Sequence, residues 1–202
     1  MSMTNLCEMS LDPLIGERVA LAFLEVEDSE EFLDLVNSSR EYLGKWLPWV
    51  ESFSSLMDAY SHIEAYSLQQ GMSNGGLWGI RRLEDGALLG IICLQWIHWE
   101  HQSASLEYWL GEPYTGDGYA SEALRLVQQY CFNSLQLNRL ELHVACKNEK
   151  SEALARRVGF VEEGLCRDYE YLHGIYWDHH IFSILAREYH SFTNVNDISI
   201  SR

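Results

Sequence analysis

Two glycines separated by one residue stand at the mouth of a helical pattern midway along this 202-residue chain. The stretch runs Gly111, Glu112, Pro113, Tyr114, Thr115, Gly116, Asp117, Gly118, Tyr119, Ala120. Paired glycines let successive backbone N–H groups turn toward one point, and the start of a helix adds partial positive charge there. Small residues at Ala120 and Ser121 let a bulky ligand approach the backbone. A pyrophosphate would fit that cradle, and a plain strand-to-helix turn would use the same residues. The stretch has neither the G-x-x-x-x-G-K-[ST] of nucleotide hydrolases nor the G-x-G-x-x-G of dinucleotide binders.

Other reactive side chains are scattered. Five cysteines (Cys7, Cys93, Cys131, Cys146, Cys166) are odd in number and lack a C-x-x-C pair. That spacing argues against a disulfide framework or a structural zinc and for a reducing compartment. Cys131, Cys146 and Cys166 invite a covalent mechanism but read as buried helix or strand positions. Histidines 98, 101, 143, 173, 179 and 180 match no standard ligand spacing, so no metal is expected.

The elements that must carry the glycine loop follow from periodicity. Strands are expected at Arg18–Leu24, Leu77–Leu83, Ala87–Leu94, Ser105–Leu110, Leu140–Cys146, Phe160–Cys166 and Ile175–Leu185. Glu84-Asp85-Gly86 marks a hairpin. Helices are expected from Asp28, with Glu31 three residues on, and along the stripe Leu56, Ala59, Tyr60, Ile63, Tyr66. Two more run from Gly118 to Leu135 and from Ser151 to Val158, the latter stopped by Gly159. The order predicts an α+β fold with a mixed, mostly antiparallel sheet of about seven strands and about four helices. No linker or repeat divides the chain, so one domain over 1–202 is expected, with a core of about 10–190 and a polar tail at 191–202.

Composition narrows the partners. Thirty acidic against 14 basic side chains give a formal net charge of −16, which repels nucleic acid and anionic lipid and attracts amines. No leader pattern and no apolar run of about 18 residues is present, so a soluble, cytoplasmic protein is expected.

From the glycine loop outward, the chain resembles the GCN5-related N-acetyltransferase (GNAT) superfamily. That family's loop reads Arg/Gln-x-x-Gly-x-Gly/Ala before a long helix. Gly118 and Ala120 match it, whereas Thr115 stands at the basic or amide position and Asp117 adds an acid. Leu106-Glu107-Tyr108-Trp109-Leu110 is similar to the strand before the loop in the ribosomal-protein-serine/alanine acetyltransferase branch. Leu137 to Leu142, the spacing of Asn148, Ser151, Ala155 and Gly159-Phe160, and Trp46-Leu47-Pro48-Trp49 match that branch in order.

The resemblance implies acetyl-CoA as co-substrate, lying between Ser105–Leu110 and Leu140–Cys146 where the family's fourth and fifth strands splay. Tyr108, Trp109, Leu110, Asn148 and Ser151 would line the pantetheine path. Thr115, Gly116, Asp117, Gly118, Tyr119 and Ala120 would meet the pyrophosphate. Ala155 replaces the tyrosine that many relatives use as general acid. The branch instead implies Ser151 as acid and Glu170 as base, with helix capping and a solvated carboxylate as their structural alternatives. Trp46, Trp49, Tyr169 and Tyr171 are candidates for the acceptor groove. The acceptor implied is a cationic amine such as a ribosomal-protein N-terminus, with polyamines, aminoglycosides and toxic peptides as alternatives. The family also implies a homodimer. A non-catalytic acyl-CoA-binding regulator and an acidic interaction domain are the readings from other classes.

Overall fold

The computed structural model describes residues 9–191; the polar tail expected from residue 191 falls almost wholly outside them. Its centre is one eight-stranded sheet in the order β1-β2-β3-β4-β5-β6-β8-β7. The strands are β1 Leu14–Ile15, β2 Val19–Phe23, β3 Gly76–Arg82, β4 Leu88–His98, β5 Ser103–Leu110, β6 Arg139–Ala145, β7 Val161–Leu172 and β8 Ile175–Leu185. The eighth strand, one more than expected, is the two-residue β1, too short to show any alternation. Every neighbouring pair is antiparallel except β5 with β6.

Five α-helices cover the sheet: α1 Ser29–Ser38, α2 Arg40–Leu43, α3 Leu56–Gly71, α4 Tyr119–Gln129 and α5 Glu149–Arg157. Residues 186–191 are helical as well. On one face α1 and α3 bury Phe32, Val36, Ala59 and Ile63 against Leu77, Ile91, Cys93 and Trp109. On the other, α4 and α5 bury Leu124, Val127 and Leu154 against Trp78, Ile92, Leu106, Leu142 and Phe182. The apolar run in β4 serves both cores, with Leu88, Ile91 and Cys93 on the first and Leu89, Ile92 and Leu94 on the second. Fully burying one such side chain contributes roughly 1.5–3 kcal/mol.

Three expected elements differ in detail. The long helix is α-helical only to Gln129 and continues as a π-helix over Tyr130–Ser134, where the Leu135 N–H donates to the Tyr130 carbonyl at 3.0 Å. In α3 only Ala59 and Ile63 of the expected stripe are fully buried; Leu56 and Tyr60 face solvent. Phe160–Cys166 is the first half of a longer strand, because the β7–β8 hairpin reaches to a turn at His173-Gly174. There the His173 ring bonds the Gly44 carbonyl at 2.8 Å, and Trp177 meets Trp46 edge-on at 6.3 Å between ring centres.

Candidate active site

The β5–β6 ladder is short. It pairs Ser103 with Arg139 through Leu106 with Leu142 and then stops, so Glu107–Leu110 and His143–Ala145 diverge. A cavity of about 760 Å³ opens at this split and runs between the α2 segment, α5 and the β7–β8 hairpin.

At one end lies the glycine loop. Gly116 and Gly118 have φ of 97° and 87°, the left-handed region where a side chain is strained. A Cβ at Gly116 would meet open space, so it is the backbone turn that requires glycine here. Gly118 is the N-cap of α4, whose first-turn N–H groups face the loop. Thr115, Gly116, Gly118, Ala120 and Ser121 line the cavity. Asp117 and Tyr119 do not; both turn to Arg18. The Arg18 guanidinium donates to the Asp117 carbonyl at 2.9 Å, pairs with Glu122 at 3.2 Å and lies 5.0 Å over the Tyr119 ring. A residue a hundred positions upstream thus brings positive charge to a loop whose own basic position holds Thr115. Nothing in the local spacing around Arg18 signals that contact.

The middle is built by β5 and α5. Tyr108, Trp109, Leu110, Asn148 and Ser151 all line the cavity. Asn148 is the N-cap of α5, and its Oδ1 accepts from the Ser151 N–H at 3.3 Å. Burial pushes the Tyr108 phenol up to about 12, an effect the neighbouring Ser151 hydroxyl partly offsets. The two do not reach good hydrogen-bond geometry, so the Tyr108 hydroxyl is a buried polar atom without a direct partner among the described residues.

The far end is walled by side chains. In β7 the three residues Arg167–Tyr169 loop out opposite the single residue Asp178, because Cys166 pairs with His179 and Glu170 with Trp177. Asp168 takes a φ of 49° to make the bulge, and its N–H donates to Asp178 Oδ1 at 2.8 Å. The bulge places Glu170 on the cavity wall with its carboxylate 3.3 Å from His179 Nε2. Trp46, Trp49, His62 and Tyr66 line the opposite wall. Trp49 also packs against Phe53, His62 and Trp109, so it serves the core as well as the groove. Tyr169 and Tyr171 lie outside the cavity. Tyr169 packs at a tilt against His143 and His179, and Tyr171 packs on Tyr176 at the exposed hairpin.

Two wall residues, Glu107 and His179, have no site role that the sequence predicts. Glu107 is the polar half of an ordinary alternation, and His179 is one of an adjacent pair on a strand, so neither carries a signal. Burial pushes the Cys93 thiol up to about 12 and raises Cys131 and Cys146 as well. High thiol pKa values leave little thiolate for covalent chemistry. Cys131 is buried as expected, whereas Cys146, just past the end of β6, and Cys166, in the edge strand β7, are only half-buried. No cluster of three metal-ligating side chains gathers among the described residues.

A splayed parallel pair, a glycine cradle at a helix start and a carboxylate facing the split define a coenzyme-A-dependent acyltransferase. Comparison with known proteins gives the family. Residues 18–161 match the acetyltransferase (GNAT) domain. YdaF of Bacillus subtilis (strain 168), which bears a provisional name as a ribosomal N-acetyltransferase, is 35% identical over 177 residues, 87% of this chain and 95% of its own. The spermidine N(1)-acetyltransferase of Vibrio cholerae is 29% identical, over 87% of this chain and 97% of its own. RimJ of Mycobacterium smegmatis, solved with a CoA disulfide, superposes with a TM-score of 0.82 at 25% identity, over 92% of this chain and 95% of its own. The chain belongs to the GNAT family, and its reaction is acetyl transfer from acetyl-CoA to an amine.

Proposed function

We propose that the acceptor is the N-terminal amine of a protein, foremost a basic ribosomal protein, and that the reaction runs in the cytoplasm. The observation that carries this is the bulge-placed Glu170, which with Glu107 gives the cavity wall carboxylates that suit a cationic acceptor. The ribosomal name of YdaF points the same way. Among the described residues no helix is long and apolar enough to cross a membrane.

The residues have separable tasks. Acetyl-CoA supplies the thioester; the loop N–H groups at Gly116, Gly118, Tyr119 and Ala120 hold its pyrophosphate, with Arg18 adding charge behind the loop. Asn148, fixed as the α5 cap, offers its amide to the pantetheine, and Tyr108, Trp109 and Leu110 wall the arm. An amine near pH 7 is largely protonated and must lose a proton before it can attack. Glu170, whose carboxylate lies 3.3 Å from His179 Nε2, takes that proton directly or through water. The amine nitrogen then bonds to the acetyl carbon, the C–S bond breaks, and Ser151 beside Tyr108 delivers a proton to the departing sulfur while its hydroxyl is restored by the proton that the new amide nitrogen sheds. Trp46 and Trp49 flank the incoming amine.

The test is calorimetric titration with acetyl-CoA, followed by thiol release with Ser- and Ala-starting basic peptides, spermidine and an aminoglycoside. Peptide-dependent release is the expected result. Release with spermidine alone would replace the protein acceptor by a polyamine. Binding without release on any amine would make the chain an acyl-CoA-binding regulator.

A further inference from the structure

The acceptor end holds a second carboxylate. Glu107 stands on β5 immediately past the last β5–β6 pair, opposite Cys93 of β4, and lines the same cavity as Glu170. The groups around it are the Gln95 amide, Cys93, the Tyr66 hydroxyl, Tyr169 and Glu170 itself. Tyr66 donates to Cys93 Sγ at 3.6 Å, Gln95 supplies one hydrogen bond to the carboxylate, and Glu170 repels it. The Glu170 carboxylate lies 3.3 Å from His179 Nε2; among the described residues Glu107 makes no ion pair. The cationic lining residues, Lys150 and Arg157, stand on α5, with Lys150 5.7 Å over the Tyr42 ring.

Glu107 and Glu170, with Glu149 lining the cavity from α5, face it with no Lys or Arg ion pair on either Glu107 or Glu170 among the described residues, an arrangement that is unfavourable until a cation arrives. Solvent reaches Glu107, yet enough protein surrounds it that desolvation, and then Glu170, raise its pKa. The nearby Trp46, Trp49 and Tyr66 rings add faces that attract cations. Glu163, by contrast, is neutralised within the fold by Arg139.

We propose that Glu107 selects the acceptor by binding a second positive charge near the amine that Glu170 serves, so that dicationic acceptors are preferred to monocationic ones. The proposal rests on the reading that places the reacting amine at Glu170. The dication could be a diamine or a peptide whose second residue is basic; the chemistry Glu107 sees is the same.

Binding is measured to the CoA-saturated protein, where no transfer occurs, with 1,4-diaminobutane against n-butylamine. A second arm uses Ser-Lys-Ala-Ala against Ser-norleucine-Ala-Ala, which differ by one charge. The wild type should favour the dication of a pair by roughly tenfold. Glu107→Gln should bring that ratio close to one, and Glu107→Asp should restore part of it, with melting curves confirming that both variants fold. A ratio near one in the wild type, or one unchanged in Glu107→Gln, would overturn the proposal. Because binding needs no turnover, a Glu107-dependent ratio in a protein that transfers nothing would sink the catalytic reading alone. The arm that shows the ratio identifies diamine or peptide as its source.

Discussion

The two ends of the cavity are built by opposite means. The loop end works through main chain: two glycines in the left-handed region and the first turn of α4 present N–H groups whatever the neighbouring side chains are. The acceptor end works through side chains, gathered from β5, α3, the α2 segment and a bulge in β7. A backbone site tolerates substitutions such as Thr115 and Asp117, because N–H groups survive them. A side-chain site changes its chemistry with each residue, which is where relatives of one fold can diverge in substrate.

The sharpest way to break this comparison is Glu170→Gln. Turnover should fall about 10²-fold or more while acetyl-CoA affinity stays nearly constant, since the change touches one end only. Thiol-release kinetics beside calorimetry check it; undiminished turnover from pH 6 to 9 would remove Glu170 from proton transfer. A smaller effect is expected at the other end. Thr115→Arg should tighten CoA binding by roughly 1 kcal/mol through a new charge-assisted phosphate contact. Weaker binding would mean that the loop does not hold pyrophosphate, or that Arg18 already fills the role and the added charge crowds it.

The smallest effect separates affinity from stability. The Glu107 pKa is raised in the folded protein, so the folded state binds this proton more tightly than the unfolded chain does. Stability contributed at this site is therefore present at low pH and lost as pH rises from the unfolded carboxyl value through the folded one. Glu107→Gln should melt slightly higher than the wild type at pH 7 without ligand, and the difference should vanish in acid. A lower melting temperature at pH 7 would mark Glu107 as structural.

The sequence carried the two ends unequally. Paired glycines before an amphipathic stripe are local signals, and the loop stands where they place it. The β4 run and the α5 boundaries were legible for the same reason: apolar alternation and caps act over a few residues. Glu170 was reachable only through resemblance, because the bulge that aims it rests on Asp168 at positive φ, a position no glycine marks. Arg18 and Glu107 were not legible. Arg18 meets the loop across about a hundred residues of chain, and Glu107 becomes distinctive only where β5 and β6 part.

That parting also orders how the chain assembles. β1 through β5 pair with their sequence neighbours, so each strand can find its partner as it leaves the ribosome. β6 must then cross α4 to reach β5, and β8 must arrive before β6 and β7 have a common neighbour. The free edge of β5 waits through that interval, and only four of its residues are ever covered by β6. The proposed catalytic site therefore sits on the seam where the sheet passes from strands laid side by side in sequence order to strands that are not.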